Sequence, residues 1–98
     1  KTDYAENIYW VFGLVLDDSI GFGAEEAMKM LGEKGIGCRP FFCPMNQQPV
    51  LREMGFFLNE SYPVAERLYK QGFYVPSGMA LTSEHINHVT KKLIEVLK

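Results

Sequence analysis

Cys38-Arg39-Pro40-Phe41-Phe42-Cys43-Pro44-Met45-Asn46-Gln47-Gln48-Pro49 sets an arginine inside a short apolar run and then breaks the backbone repeatedly. The residues from Ile36 to Phe42 predict a strand, with Arg39 and Phe41 on one face and Cys38, Pro40 and Phe42 on the other. Pro40 cannot donate a ladder hydrogen bond, so this strand belongs at a sheet edge or a bulge. The prolines that follow restrict their own φ and bias their predecessors towards extended geometry, which describes a strand delivering a loop held in few conformations. Arginine presents a planar, permanently charged fork suited to carboxylate or phosphate. Phe41 and Phe42 supply apolar walls, and Asn46, Gln47 and Gln48 supply neutral hydrogen-bonding groups. Such a mixture suits a small polar ligand with an anionic end. The other reading of the same residues is a proline-rich surface turn over a buried aromatic pair.

Upstream, Asn7 to Leu16 is a run of Tyr, Trp, Phe, Val and Leu. Ile8, Trp10, Phe12, Leu14 and Leu16 alternate on one side, and Tyr9, Val11 and Val15 make the other side apolar too, predicting a strand covered on both faces, by the chain's own helices and by something else. Asp17, Asp18, Gly21 and Gly23 make a solvated turn. Ala24 to Lys34 predicts a helix, with Ala27, Met28 and Leu31 at helical spacing, Glu25 and Glu26 against the positive end of its dipole, and Gly35 as the stop. Val50 to Met54 fits a single helical turn. Pro63 opens a helix carrying Ala65, Leu68 and Tyr69 and ending at Gly72, followed by a short strand from Phe73 to Pro76. Thr82 caps a last helix whose Ile86, Val89, Leu93 and Leu97 form an apolar stripe, with Lys91, Lys92 and Lys98 towards its negative end.

The order is β-α-β-α-β-α. Alternation of this kind suggests a parallel, doubly wound sheet, but only three strands are present and one carries an internal proline. The expected fold is therefore α+β, a small three-stranded, mainly antiparallel sheet with helices packed on one face.

Ninety-eight residues fit one domain, residues 1–98, able to bury a modest core without disulfides or metals. A composition that is 47% hydrophobic and 22% charged, with a net charge of −2, leaves no basic footprint for nucleic acid. No apolar run approaches the roughly 18 residues of a membrane span and the start lacks a signal-peptide pattern, so the expected location is cytoplasmic. Beginning on Lys1, the chain is expected to be a piece of something longer. Cys38 and Cys43, if extended, lie about 16 Å apart, too far for a mutual disulfide, and are expected to be free thiols.

Other candidate chemistry is weaker. His85 and His88 share a helix face, but the cysteine spacing is poor for completing a zinc site, and no metal is expected. Gly32, Gly35 and Gly37 lie between a helix and a strand and form no phosphate-binding motif. Trp10, the phenylalanines and the five methionines are expected in the packing. No residue of this chain presents itself as catalytic, since a catalytic carboxylate or thiol needs a positioned partner that the sequence does not reveal.

The succession of "NIYWVFGLVL", an intervening helix, "GIGCRPFFCPMNQQPVL", "YPVAERLYKQGFYVPSGMALT" and a closing amphipathic helix resembles the C-terminal small domain of the DegT/DnrJ/EryC1/StrS sugar-nucleotide aminotransferases, from about Asn7 onward. The wording around "RPFFCPMNQQP" is nearest to members that aminate a GDP-linked 4-keto-6-deoxymannose with glutamate. Many relatives carry histidine where this sequence has Asn46. The resemblance implies a pyridoxal-phosphate enzyme in which a large domain supplies the cofactor lysine and most phosphate contacts, while this small domain closes one side of the active site. It implies substrate-binding roles for Arg39, Phe41, Phe42, Asn46, Tyr74 and Ser77. It also implies a homodimer, a sugar nucleotide and glutamate as partners, and no transamination by this chain alone. The competing expectation from the residues is a freestanding α+β module that binds a metabolite or self-associates.

Overall fold

The computed structural model describes residues 2–98. Strands β1 (Phe12–Val15), β2 (Arg39–Pro40) and β3 (Gly72–Val75) are interleaved with helices α1 (Ala24–Glu33), α2 (Pro49–Glu53), α3 (Pro63–Gln71) and α4 (Ser83–Leu97), and short 3-10 turns span Asp18–Ile20 and Met45–Gln47. The strands form one sheet in the order β1-β3-β2, and both pairings are antiparallel. Pro40 lies on an edge strand as the proline argument requires. The neighbouring Phe41 N–H donates to Gly72 O at 3.3 Å, so backbone alternation turns the Pro40 nitrogen away from β3, where no donor is needed.

Register divides the sheet into two chemically different faces. Leu14 stands opposite Phe73 and Phe12 opposite Val75, whereas Gly13 and Arg39 both stand opposite Tyr74. The Phe73 face packs into a core with Leu16, Ile36 and Val75, completed by Ala24, Ala27 and Leu31 of α1 and Val96 of α4. Phe73 and Leu31 are fully buried, each contributing roughly 1.5–3 kcal/mol relative to exposure. Val89, Leu93 and Leu97 pack at the margin of this core, while Ile86, expected in the same stripe, stands exposed a turn beyond it.

The helix ends follow their local signals. Gly35 takes φ +80° just past α1, a left-handed conformation that costs glycine nothing. Thr82 caps α4 reciprocally: its Oγ1 accepts from His85 N, and His85 Nδ1 accepts from Thr82 N, both at 3.3 Å. Lys34, at the end of α1, reaches Glu95 of α4 at 3.4 Å, and Lys92 reaches the same carboxylate at 3.0 Å. Hydrogen bonds from Lys92 and then Lys34 hold the Glu95 carboxyl below its ordinary range. Before α1, Asp17 accepts from Ser19 Oγ and N, which holds its carboxyl low, and Asp18 pairs with Arg67 at 3.3 Å.

The sheet departs from expectation at its N-terminal end. The predicted strand Asn7–Leu16 contracts to Phe12–Val15 because Tyr9 takes φ +53° and its N–H donates to Asn7 Oδ1 at 2.7 Å, not to a ladder. Among the described residues the face assigned to a cover other than this chain's own helices stands open. Ile8, Tyr9 and Phe12 stand mostly exposed, and Trp10, expected in the core, is 68% exposed. The predicted strand Ile36–Phe42 likewise contracts to the two residues that find partners on the short β3. With these segments drawn away from the core, the radius of gyration is 16.0 Å, against about 13 Å for a compact domain of this size.

Candidate substrate groove

Opposite the helix-covered side, β3 presents Gly72 and Tyr74. Phe41 lies across both: its ring centroid is 4.7 Å from that of Tyr74 with planes inclined at 31°. Gly72 offers no side chain to meet it, and a Cβ on Gly13 would come within 3.1 Å of the same ring. Phe42 approaches Tyr74 edge-on at 6.4 Å. These rings floor an open groove of about 690 Å³ whose lining includes Arg39, Phe41, Phe42, Tyr74 and Ser77. Five of the six residues singled out from sequence thus converge on one surface. They converge because β2 and β3 are adjacent, and Arg39 is the direct register partner of Tyr74.

Asn46 stands elsewhere. It is only 5% exposed, does not line the groove, and donates from Nδ2 to Glu66 Oε1 at 3.0 Å. Sequence reasoning in turn missed Trp10, Cys43 and Tyr69, which do line the groove. The readable signal for Trp10 was a run apolar on both sides with no second covering element to match it. Tyr69 carried the signal of an aromatic near the end of a helix that runs directly into the strand bearing Tyr74.

The groove is largely apolar, and its lining adds the Arg39 guanidinium, the Tyr69 and Tyr74 phenols and the Ser77 hydroxyl. Such walls desolvate a planar or sugar-like body, while the guanidinium offers parallel donors to an oxyanion. Cys38 and Cys43 are both free thiols. Burial pushes the Cys38 thiol up, which disfavours its nucleophilic form, and only Cys43 borders the groove. Among the described residues no lysine lines the groove; Lys29, Lys34, Lys70, Lys91 and Lys98 are exposed and Lys92 is half-buried in its pair with Glu95. A covalent hold on an aldehyde cofactor needs an amine desolvated enough to lose its proton, so the described lysines do not fit one. Among the described residues no three His, Cys, Asp or Glu side chains gather as metal ligands, and His85 is engaged in the α4 cap. No helix among them is long and apolar enough to cross a membrane.

Residues 1–94 match the DegT/DnrJ/EryC1/StrS aminotransferase family. The chain belongs to that family. It is also 30% identical over 88 residues to a Bacillus subtilis (strain 168) protein named "Putative pyridoxal phosphate-dependent aminotransferase EpsN". The match covers 89% of this chain and 22% of that relative, so the chain spans less than a quarter of the relative's length.

Proposed function

We propose that this chain is the small-domain portion of a pyridoxal-phosphate-dependent sugar-nucleotide aminotransferase. In this reading a preceding large domain carries the cofactor, its lysine and most of its phosphate contacts. The small domain walls one side of the active site and orients substrate, and the parent works as a cytoplasmic homodimer. The single observation that carries the reading is the convergence of Arg39, Tyr74 and Ser77 around one apolar groove, in a chain of this family whose described lysines all stand away from it.

The substrate is a 4-keto-6-deoxy sugar nucleotide and the amine donor is glutamate. Arg39 takes an anionic group of the nucleotide, and its fork matches two oxygens of one phosphate. Phe41, Phe42 and Tyr74 form the apolar wall beside it, and Ser77 offers a hydroxyl to a sugar oxygen. Trp10 adds an exposed indole, and stacking on such a face contributes about 1–3 kcal/mol per base. The nearest product is GDP-perosamine, from the wording of the Arg39 loop.

The test is a half-reaction on the full-length parent. Glutamate should shift the absorbance of the bound cofactor, and a GDP-linked 4-keto-6-deoxymannose should reverse it. A parent with no cofactor spectrum sinks the aminotransferase reading. A glutamate shift that other keto sugar nucleotides reverse and the GDP-linked one does not sinks the perosamine assignment alone.

A further inference from the structure

Asn46 is the buried polar side chain of the Met45–Gln47 turn, and its amide is spent on Glu66 of α3, twenty residues away. The same oxygen, Glu66 Oε1, also accepts from Tyr62 N at 3.3 Å, so one carboxylate joins the start of α3 to the turn. On the turn side the backbone is closed on itself: Gln47 N donates to Pro44 O at 2.9 Å, and Gln48 Nε2 donates to Cys43 O at 3.1 Å. Arg52 Nη1 adds a donor to Asn46 O at 3.4 Å. Residues 43–48 are therefore a stiff unit, and its first residue, Cys43, forms one wall of the groove together with the preceding Phe42. On the other side, α3 carries Tyr69 and continues without a loop into β3, which carries Tyr74. Tyr69 and Tyr74 line the same groove.

We propose that Glu66, acting through Asn46, is a positioning residue that sets where Phe42 and Cys43 stand relative to Tyr69 and Tyr74 in the groove lining, and thereby the fit of the sugar nucleotide. This rests on the groove being the substrate surface. The tie is built as a positioning device is expected to be: a buried donor with a charged acceptor, between two units each rigid by themselves. Neither Asn46 nor Glu66 lines the groove, so neither is placed to touch the substrate.

The experiment uses the full-length parent protein and reads two quantities. One is the alkylation rate of Cys43 by iodoacetamide, resolved at the peptide level by mass spectrometry. The other is KM for the GDP-linked 4-keto sugar, measured beside KM for glutamate. Asn46→Asp replaces the donor by a second carboxylate facing Glu66. It is expected to speed Cys43 alkylation about threefold or more and to raise KM for the sugar nucleotide about fivefold or more, with KM for glutamate nearly unchanged. Adding Glu66→Gln to that variant reverses the direction of the bond. The introduced amide nitrogen takes the place of Oε1 and donates to the new carboxylate at position 46, leaving the exposed Tyr62 N–H to solvent, so both quantities should return towards wild type. Should Asn46→Asp not accumulate as folded protein, Glu66→Met removes the acceptor without adding charge and is read in the same way.

Cys43 alkylation unchanged by loss of the tie overturns the proposal, as does faster alkylation with an unchanged sugar-nucleotide KM. Failure of the double variant to recover either quantity overturns it too. A parent that turns over no keto sugar nucleotide refutes the functional reading instead, and the alkylation rates still report whether Glu66 holds the wall.

Discussion

Phe41 occupies the space where Gly72 would carry a side chain. A Cβ at position 72 meets the Phe41 ring and the Leu68 carbonyl oxygen together, and one at position 13 meets the far end of the same ring at 3.1 Å. Gly72 has φ −103°, which any residue adopts, so the requirement for glycine is wholly steric. An aromatic side chain from the end of the edge strand is thus seated in a notch cut by two glycines on the neighbouring strands.

Gly72→Ala should destabilise the chain by about 1–3 kcal/mol, the usual penalty for overpacking, because Leu68 O is backbone and cannot swing aside. Gly13→Ala should cost less, since only the Phe41 ring tip must shift by a few tenths of an ångström. Urea midpoints of the two variants against wild type check the ranking, and a Gly72→Ala midpoint equal to wild type would show that Phe41 does not sit there.

Arg39 is exposed and opposite Tyr74, and substitution by lysine keeps the charge but loses the fork. Arg39→Lys in the full-length parent should raise KM for the sugar nucleotide about tenfold, the equivalent of one charge-assisted hydrogen bond. Steady-state kinetics measure it. Unchanged constants would remove Arg39 from the substrate surface.

Thr82→Ala should lower stability by about 1 kcal/mol through loss of the bond to His85 N at the head of α4. Because α4 supplies Val96 to the core, the loss should appear in global unfolding and not only as fraying at the helix end. Thermal unfolding followed by circular dichroism reads the first, and amide exchange at residues 83–86 reads the second.

Glu95 binds its proton more weakly in the folded chain than in the unfolded one, because Lys92 and Lys34 favour the carboxylate. Its contribution is fully present above the ordinary glutamate range and fades as pH falls through the lowered folded value. Stability should therefore decline with acidification more steeply in wild type than in Glu95→Gln. Denaturant midpoints between neutral and acidic pH test the difference, which should shrink in high salt because the pair is partly exposed. Parallel curves would remove the Lys34–Glu95 tie between α1 and α4 from the stability of the fold.

The helices were legible because their signals are local. Gly35, Pro63 and Thr82 mark ends by the conformations and donors they supply, and those requirements do not depend on what packs nearby. The edge position of β2 was legible through one residue, Pro40, whose missing N–H excludes a central strand, but which of the other two strands is central was not. Strand lengths were not, because a strand extends only as far as its partner, and β3 offers four residues. Nor could apolar pattern alone separate Trp10 at the groove from Phe73 in the core, since both lie in aromatic runs. The partner of Asn46 was invisible for a related reason: Glu66 is brought to it by the fold, and a neutral amide beside prolines reads equally as ligand contact or as anchor.

The place of β3 between β1 and β2 has a consequence for how the chain is made. Phe12–Val15 and Arg39–Pro40 never pair with each other, and each waits for Gly72–Val75, the last of the three to be synthesised. Until that strand leaves the ribosome, the aromatic runs around Trp10 and Phe41 have no sheet to join, and a long loop, from β2 or the still more distant β1 to β3, must close before the first ladder bond. A nascent chain stopped short of Gly72 would hold its α1 helix without a surface to lay it on. The sheet of this chain therefore depends on its last strand, and an end before Gly72 removes the whole sheet and not merely one strand.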